Sequence, residues 1–568
     1  MGMDNFLTQA AIELSPKPNL HIMRGIADSQ MKYFVDSIGA VWNTVAKEFP
    51  PEVSYLGWRQ CTALEEYMFE AKPTKTVVCE TDVARNSLHL VMFRIEYRHP
   101  NGTREEVPVY MYMPHTQMGG LLWLSGAQWA NSPMLGDQVL SFEKDRVFCQ
   151  LARAKFHIEN VNHCINVDGS IVENNVPWGI VYNVHKPKPI IKIALIHYIL
   201  AVRGLRKTIE HLLPGMAFEC FDGDIDEEKY PTDKWAHIKS GRPKYKQFFG
   251  GSDITFVVDR RKWEEAGQPA KTIMASIFFV LDRFSKAGSE VWRLEIKAAH
   301  ESSENISNWR VAMGTILWES TKNPFVALED INKHIKSLDR YIDDLVQPQV
   351  KRIGFDVDNL FDFFGQIILR WEDWRLNGHK LSAPVCNKEI NALYQMYSGI
   401  MKAIFKFHFN LENEAAKGAI AIDKLKDLLK TFIRPRMIFS VRKEAPRYIA
   451  PIAFAGDNAF CKPSSIVVPQ RGSSGGGEGH GAAGTRLHST LPEVTSAINI
   501  TKKDSGGLTR LNPYVQLDNL MYVIRDPELA AISDRVQAIL DKEMKTTAVA
   551  GAVFEDVDEE NIVRDDDN

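Results

Sequence analysis

Apolar side chains recur at helical spacing in two segments of the first half of the chain. In residues 29–49 the apolar positions are Phe34, Val35, Ile38, Val41, Trp42 and Val45. Such a stripe is typical of the buried face of an α-helix, and the two prolines at 50–51 end it. Residues 191–213 show the same periodicity and stop at Pro214 and Gly215. We therefore predict an N-terminal helical segment over residues 1–76 and a strong amphipathic helix after residue 190.

Helical periodicity continues through the middle of the chain. After a polar, aromatic and irregular stretch at 218–249, the predicted helices cover residues 271–284, 328–345, 360–374, 388–410 and 420–432. Proline and neighbouring polar residues at 322–324 indicate a hinge between two of them. The pattern predicts a mostly helical region over residues 190–432.

Alternating apolar and polar side chains predict strands between the two helical parts. Residues 91–97 form one such run, and residues 107–142 hold further runs separated by glycine-containing turns. Pro100, Asn101 and Gly102 lie between the two runs and favour a hairpin turn, because Asn-Gly adopts the required positive φ angles. We predict a β-rich unit over residues 77–189, and an ordinary antiparallel meander explains the pattern by itself.

Helical periodicity is lost after residue 433. Residues 472–484 are glycine-rich and typical of a loop, and residues 527–545 form one last predicted helix. Residues 555–568 carry eight acidic side chains and one basic one, which is typical of a disordered tail. We therefore predict two further regions, one over residues 433–525 that contains the glycine-rich loop and one over residues 526–568 that contains the last helix and the acidic tail. The whole pattern predicts an α+β multidomain protein with a largely helical middle region.

Charge is distributed unevenly in a chain of 568 residues whose formal net charge is only −4. Residues 434–510 carry eleven Lys and Arg against five Asp and Glu. A local basic segment in a nearly neutral protein is the asymmetry that contacts with nucleic-acid phosphates require. A solvated surface balanced by the acidic tail explains the same distribution, so charge alone leaves both interpretations open.

The sequence contains few of the motifs that carry catalysis. It has no phosphate-binding loop, no dinucleotide fingerprint and no Cys-x-x-Cys pair among its seven cysteines. The acidic run 222–228 alternates aspartates that could hold Mg²⁺, but Glu227 stands where a calcium-binding loop needs glycine. We interpret this run as a solvated loop. We predict no catalytic and no metal-binding residue in this chain, and the apolar runs are too short to predict a membrane partner.

The second informative segment is 501–514. Gly506 and Gly507 allow a tight backbone excursion, and the flanking side chains are basic and polar. The candidate nucleic-acid-binding residues are Lys502, Lys503, Gly506, Gly507, Thr509 and Arg510. Lysine and arginine are the side chains that most often contact phosphate. A basic surface turn is the alternative.

Two of these segments resemble the β subunit of multisubunit DNA-directed RNA polymerases. The strand and turn order of 91–142 resembles the protrusion domain, and the run from Gly506 to Arg510 resembles the fork loop at the downstream edge of the transcription bubble. The resemblance implies a protrusion and lobe, with residues 190–432 lobe-like and 433–525 fork-like. Residues 221–224 also resemble part of the catalytic aspartate motif of β′ subunits, but Cys220 stands where that motif has an aspartate.

The chain departs from cellular β subunits because it ends within about sixty residues of Arg510. Giant bacteriophages split β and β′ into separate polypeptides, and the chain resembles the N-terminal part of such a split β subunit. The resemblance implies a subunit without a complete active centre, with Mg²⁺ held by partner chains. The implied partners are a C-terminal β part, β′ parts, template DNA and RNA, in an infected host cell or packaged in a virion. The alternative is a structural virion or scaffold protein, which has no need for the basic segment 434–510.

Overall fold

The structure is a computed structural model of the chain. It describes residues 34–70, 88–115, 121–124, 127–131, 134–137, 139–143, 146–179, 192–222, 225–241, 254–285, 306–317, 324–382, 388–391, 394–437, 449–451, 465–467, 494, 508–512, 515–517, 523–524, 531, 535, 538–539 and 542. Both α-helices and β-sheets are present, which confirms the predicted α+β class. The glycine-rich loop and the acidic tail lie outside the described residues.

The helices are named in chain order. They are α1 (Phe34–Ala46), α2 (Ala63–Glu70), α3 (Leu195–Arg203), α4 (Leu205–Leu212), α5 (Arg260–Ser285), α6 (Ile306–Leu317), α7 (Pro324–Asp339), α8 (Gln347–Arg352), α9 (Leu360–Ser382), α10 (Tyr394–Ala415) and α11 (Ile422–Phe432). Within the described parts of the chain, no helix is long and apolar enough to cross a membrane.

The strands of the first half are β1 (Val53–Gln60), β2 (Leu88–Arg98), β3 (Arg104–Pro114), β4 (Leu121–Leu124), β5 (Ala127–Asn131), β6 (Met134–Asp137), β7 (Leu140–Glu143), β8 (Arg146–Gln150), β9 (Lys155–Val167) and β10 (Ser170–Gly179). The later strands are β11 (Ile193–Ala194), β12 (Phe218–Asp222), β13 (Trp235–Ser240), β14 (Ile254–Asp259), β15 (Lys388–Asn391), β16 (Ile449–Pro451), β17 (Ser465–Val467), β18 (Leu508–Arg510), β19 (Gln516–Leu517) and β20 (Val523–Ile524).

A three-stranded antiparallel sheet of order β1-β2-β3 follows α1. The predicted hairpin is confirmed: β2 and β3 pair without a break from Leu88 opposite Pro114 to Arg98 opposite Arg104. At the turn Gly102 has a φ of 82°, and the Thr103 amide donates to Asn101 Oδ1 at 3.0 Å. Strand β1 lies inside the N-terminal segment 1–76 that was predicted to be helical, between helices α1 and α2. A β-bulge between Tyr55 and Gly57 breaks the alternation by which a strand is recognised.

The largest sheet has eight strands, with the order β11-β10-β9-β13-β14-β12 and with β8 and β7 joined through β9. Residues 218–249 were predicted to be irregular, and this is wrong, because β12 and β13 both pair with β14. Strand β13 also pairs with β9, from Ile238 opposite Val167 to Ser240 opposite Ile165. The sheet therefore contains strands from both sides of the unit boundary predicted at residue 190.

Most of the described residues between 190 and 432 are helical, and the helices differ locally from the predicted ones. The helix predicted over 191–213 is two helices, α3 and α4, because Gly204 between them has a φ of 78°. Helix α5 is also interrupted, with a φ of 58° at Gly267 shortly before Pro269. The first residues of the helix predicted over 388–410 form β15 instead, paired with β6. In the predicted C-terminal helix, the described residues Ala531, Arg535, Ala538, Ile539 and Lys542 are helical.

The buried apolar side chains form two hydrophobic cores. The first, which we call the inserted core, lies within the continuous stretch 139–374. The second, the host core, combines residues 34–135 with residues 390–523. The two halves of the host core are joined by Trp42, whose ring centroid lies 5.7 Å from that of Phe407, and by the Tyr97 hydroxyl, which donates to the Ile420 carbonyl at 2.7 Å. The chain therefore leaves the host core, builds the inserted core and returns.

Candidate nucleic-acid interface

The segment predicted to contact nucleic acid continues into a strand. Thr509 and Arg510 belong to β18, which pairs with β17, placing Arg510 opposite Ser465 and Thr509 opposite Ile466. Lys502, Lys503, Gly506 and Gly507 lie outside the described residues. The structure therefore fixes the backbone of the end of this segment, and the basic pair stays a prediction.

Strand β18 is the edge of a four-stranded sheet of order β15-β6-β17-β18. Val467 of β17 pairs in parallel with Met134 of β6, and β15 pairs antiparallel with β6 from Lys388 opposite Asp137 to Asn391 opposite Met134. Strand β6 belongs to the segment 107–142 and β18 to the segment 501–514. This sheet brings together the two segments that resemble the polymerase β subunit, which are more than three hundred residues apart in the sequence.

The residues after β18 attach it to the host core. Leu511 is 3% exposed and belongs to that core together with Val494, Val515 and Leu517. The Asn512 amide donates to the Val494 carbonyl at 2.7 Å. Burial of Leu511 therefore anchors the end of β18 to the host core.

The acidic run 222–228 does not form a cation site in the described residues. Asp222 ends β12, and Asp226 Oδ1 accepts hydrogen bonds from the amides of Glu228 at 3.1 Å and Lys229 at 3.4 Å. Asp226 therefore stabilises a turn, as aspartates commonly do. Across the parts of the chain that the structure describes, no group of three or more His, Cys, Asp or Glu side chains could hold a metal ion.

A cluster of charged side chains, which the sequence did not predict, lies between the two cores. Arg340, just after α7, donates two hydrogen bonds of 2.8 Å to the carboxylate of Glu412 on α10 and lies 3.1 Å from Glu48. Arg153 donates to Asp343 Oδ2 at 3.0 Å, and its guanidinium lies 4.8 Å from the ring centroid of Phe405. We call this cluster the ionic junction. Its residues come from four distant segments of the chain, and no local motif marks them.

Burial changes the titration of the ionic junction. The side chain of His408 is 4% exposed and lies 3.2 Å from Glu48 Oε2. Burial lowers the pKa of His408 to about 4, with Arg153 as the next cause. Burial raises the pKa of Glu48 despite the nearby Arg153 and Arg340. By contrast, hydrogen bonds from Arg340 lower the pKa of Glu412. Arg340 and Glu412 are therefore the pair that stays ionised, and His408 is neutral at pH 7.

Comparison with known proteins identifies the family. A family model described as non-virion RNA polymerase subunit matches residues 31–558, which is most of the chain. The chain belongs to this family, and it is therefore an RNA polymerase subunit. Comparison with individual curated proteins gives no significant match. The family supports the polymerase prediction over the alternative of a structural virion or scaffold protein.

Proposed function

We propose that the chain is the N-terminal part of a split β subunit in a phage-encoded multisubunit DNA-dependent RNA polymerase. In this role it forms walls of the DNA channel and part of the fork, and it carries no catalytic centre of its own. The observation that carries the proposal is the four-stranded sheet that contains both β6 and β18, with β17 between them. The segments 107–142 and 501–514, which both resemble the polymerase β subunit, contribute strands to this one sheet, so a single site can use residues of both.

The proposal assigns the chemistry of RNA synthesis to other chains. Nucleotide transfer of this kind uses Mg²⁺ held by a preformed set of carboxylates. The turn-forming role of Asp226 supports a structural function for the acidic run. In this proposal the Mg²⁺ ions are held by β′-type partners. A separate chain, the C-terminal part of the β subunit, forms the rest of the DNA-channel wall. The family description, a non-virion subunit, favours work inside the infected host cell over packaging in the virion.

The role of the basic segment in this proposal is to bind phosphate. Lys502, Lys503 and Arg510 flank the two glycines, where the backbone can come close to nucleic acid. Phosphate contacts carry no sequence information and weaken as salt is raised, because each contact releases condensed counterions. The proposal therefore predicts affinity for an open transcription bubble without preference for particular bases.

The test is a triple substitution of Lys502, Lys503 and Arg510 to Ala in the assembled polymerase. The matched control replaces Arg261, Lys333 and Lys351 with Ala. These residues lie in the stretch 139–374, and their side chains are 86%, 69% and 68% exposed. Affinity for a pre-melted DNA bubble is measured between about 50 and 200 mM salt, a range over which several phosphate contacts change affinity by orders of magnitude.

We expect the triple variant to bind every template more weakly and with a flatter salt dependence, while the control behaves as the wild type. Loss of binding to one promoter only would indicate base readout instead. Unchanged affinity and unchanged salt slope would overturn the fork assignment while leaving membership of the polymerase intact.

A further inference from the structure

The chain passes between the host core and the inserted core twice, and the two passages start from the same place in the host core. The first follows β6, between Leu135 of the host core and Val139 of the inserted core. The second precedes β15, between Trp374 of the inserted core and Ile390 of the host core. Strands β6 and β15 pair antiparallel, with Leu135 opposite Ile390. The inserted core is therefore attached to the host core as an inserted domain is, with its two ends close together.

The pair of strands β6 and β15, which we call the pivot, is a firm attachment of narrow width. Leu135 and Ile390 are each 1% exposed and belong to the host core. Changes in the backbone angles of a few residues at the end of such an element are enough to rotate one domain against another. Strand β6 also pairs with β17, and β17 pairs with β18. The pivot therefore belongs to the same sheet as the candidate nucleic-acid interface.

Packing between the two cores is not extensive. Among the residues that the structure describes, no helix or strand of the inserted core packs extensively on a helix or strand of the host core. Within the inserted core, by contrast, α9 packs on both α3 and α5. The apolar contacts between the cores include Ala152, which packs on both, and Leu345, which packs on the host core, and both side chains are only partly buried. Domains joined without a large apolar interface are expected to move relative to each other.

The ionic junction brings acidic side chains of the two cores close together. Glu48 and Glu412 lie on the host side, and Asp343 lies on the inserted side. Burial is the main cause that raises the pKa of Glu48, and the charges of Glu412 and Asp343 act in the same direction. Arg340 of the inserted side contacts both host carboxylates, at 2.8 Å from Glu412 and 3.1 Å from Glu48. Without Arg340, the two host carboxylates would repel each other and Asp343 across the junction.

A second ion pair between the cores lies at the exposed rim of the junction. Lys47 pairs with Asp344, and their side chains are 62% and 60% exposed. Exposed ion pairs contribute little to stability, because water solvates the separated charges well. The side chain of Arg340 is 19% exposed. Of these two cations, Arg340 therefore contributes more to holding the cores together.

Three buried polar atoms of the ionic junction are incompletely satisfied. Glu48 Oε2, Arg153 Nη2 and His408 Nε2 have no hydrogen-bond partner among the described residues. The distances from Glu48 Oε2 to Arg340 and to His408, 3.1 and 3.2 Å, are therefore ion-pair contacts and not hydrogen bonds. A permanent protein core contains few such atoms, because leaving them without a partner costs free energy. Separation of the two cores would let water reach these atoms and so offset part of the lost ion pairing.

We propose that the inserted core rotates about the pivot between a closed and an open arrangement, and that Arg340 is the latch of the closed one. In the closed arrangement Arg340 donates two hydrogen bonds of 2.8 Å to Glu412. In the open arrangement Arg340 moves away with the inserted core, and water solvates Glu48 and Glu412. Any change that weakens the latch shifts the population toward the open arrangement. The proposal uses contacts within this chain alone and does not depend on the proposed function.

The experiment measures distances between pairs of spin labels in the full-length chain by double electron–electron resonance. The labels are attached to non-natural amino acids, so the native cysteines stay in place. The first pair replaces Lys351 of the inserted side and Lys417 of the host side, whose side chains are 68% and 70% exposed. It reports the distance between the two cores. The second pair, at Lys333 and Lys351, lies within the stretch 139–374 and reports whether that stretch keeps its fold.

Three variants are compared with the wild type. Arg340→Met removes the latch, and Glu412→Gln removes the charge of its partner while keeping the shape of the side chain. The matched control is Arg375→Met, because Arg375 is also partly buried but pairs with Glu372 of the same helix, α9. This control breaks an ion pair of similar exposure that does not connect the two cores.

We expect Arg340→Met to raise the population of a longer 351–417 distance at least about fivefold, the size of effect that coupled ion pairs give. Glu412→Gln should act in the same direction by a smaller factor, and Arg375→Met should behave as the wild type. The 333–351 distance should stay unchanged in all three variants. An unchanged 351–417 distribution in both junction variants would overturn the proposal. So would an equal effect of the control, or a changed 333–351 distance, since that would indicate unfolding of the inserted core.

Discussion

The inserted core and the host core are built in different ways from the same chain. The inserted core uses one continuous stretch, and its eight-stranded sheet is covered by helices of the same stretch. The host core forms only when residues 34–135 meet residues 390–523. Apart from residues 139–142, both segments that resemble polymerase β lie in the host part of the chain. The candidate site therefore depends on contacts between distant residues, whereas the inserted core uses residues from one continuous stretch.

The largest expected effect is that of a substitution that leaves a cavity in the inserted core. Phe278 is fully buried and its ring lies 4.6 Å from that of Phe256. Phe278→Ala should cost about 4 kcal/mol of stability, the usual result for a large buried aromatic side chain. Hydrogen exchange measured by mass spectrometry should then show lost protection in 139–374 and retained protection in β2 and β3. The matched change in the host core is Trp42→Ala, for which we expect the reverse pattern. Equal loss everywhere would mean that the two cores unfold as one unit.

A smaller effect is the dependence of stability on pH that His408 causes at the ionic junction between the two cores. His408 has a folded-state pKa of about 4 against an ordinary value of 6.5. Its contribution to stability is therefore complete above pH 6.5 and is lost as the pH falls toward 4, because the unfolded state binds the proton first. The difference corresponds to about 3 kcal/mol.

The measurement is chemical unfolding of wild type and His408→Gln between pH 7 and pH 4. Both proteins keep Glu48, whose raised pKa acts in the opposite direction, so the difference between them isolates His408. We expect the wild type to lose more stability than the variant over this range. Parallel pH profiles would show that the ionic junction does not hold His408 neutral.

The smallest expected effect concerns the surface of the host core. Thr62→Ala removes the side-chain cap of α2 and should cost roughly 1 kcal/mol, with faster amide exchange confined to the first turns of that helix. Loss of protection that spreads into β2 would show that α2 is part of the folding core of the host unit and not a peripheral element. Thr431→Ala, at a hydroxyl that bonds the Asp427 carbonyl on the exposed side of α11, is the control.

The parts of the fold that local rules specify could be predicted. The Asn101-Gly102 turn gave the β2–β3 hairpin, and periodic apolar stripes gave α1, α9 and α11. The parts that depend on distant pairing could not. Strand β12 pairs with β14, and β13 pairs with β14 and β9, so both are strands because of distant partners. In β1 the bulge at Leu56 puts Tyr55 and Trp58 on the same face, so the sequence lacks the alternation from which a strand is predicted.

The candidate site shows the same division. The strand character of Leu508–Arg510 and its place in the same sheet as β6 come from pairing with β17, which no local pattern reveals. The glycine pair and the basic residues at 502, 503 and 510 were visible in the sequence because their chemistry is local. The ionic junction was missed, since Glu48, Arg153, Arg340 and His408 are far apart in the sequence and come together only where the two cores meet.

The most direct test of the central claim is RNA synthesis by the chain purified through an affinity tag from infected cells, in Mg²⁺ and nucleoside triphosphates. We expect the intact eluate to contain the other polymerase subunits and to make RNA, and the chain separated from them to make none. RNA synthesis by the separated chain alone would contradict the assignment of the catalytic centre to partners, and an eluate free of polymerase subunits would contradict the account as a whole.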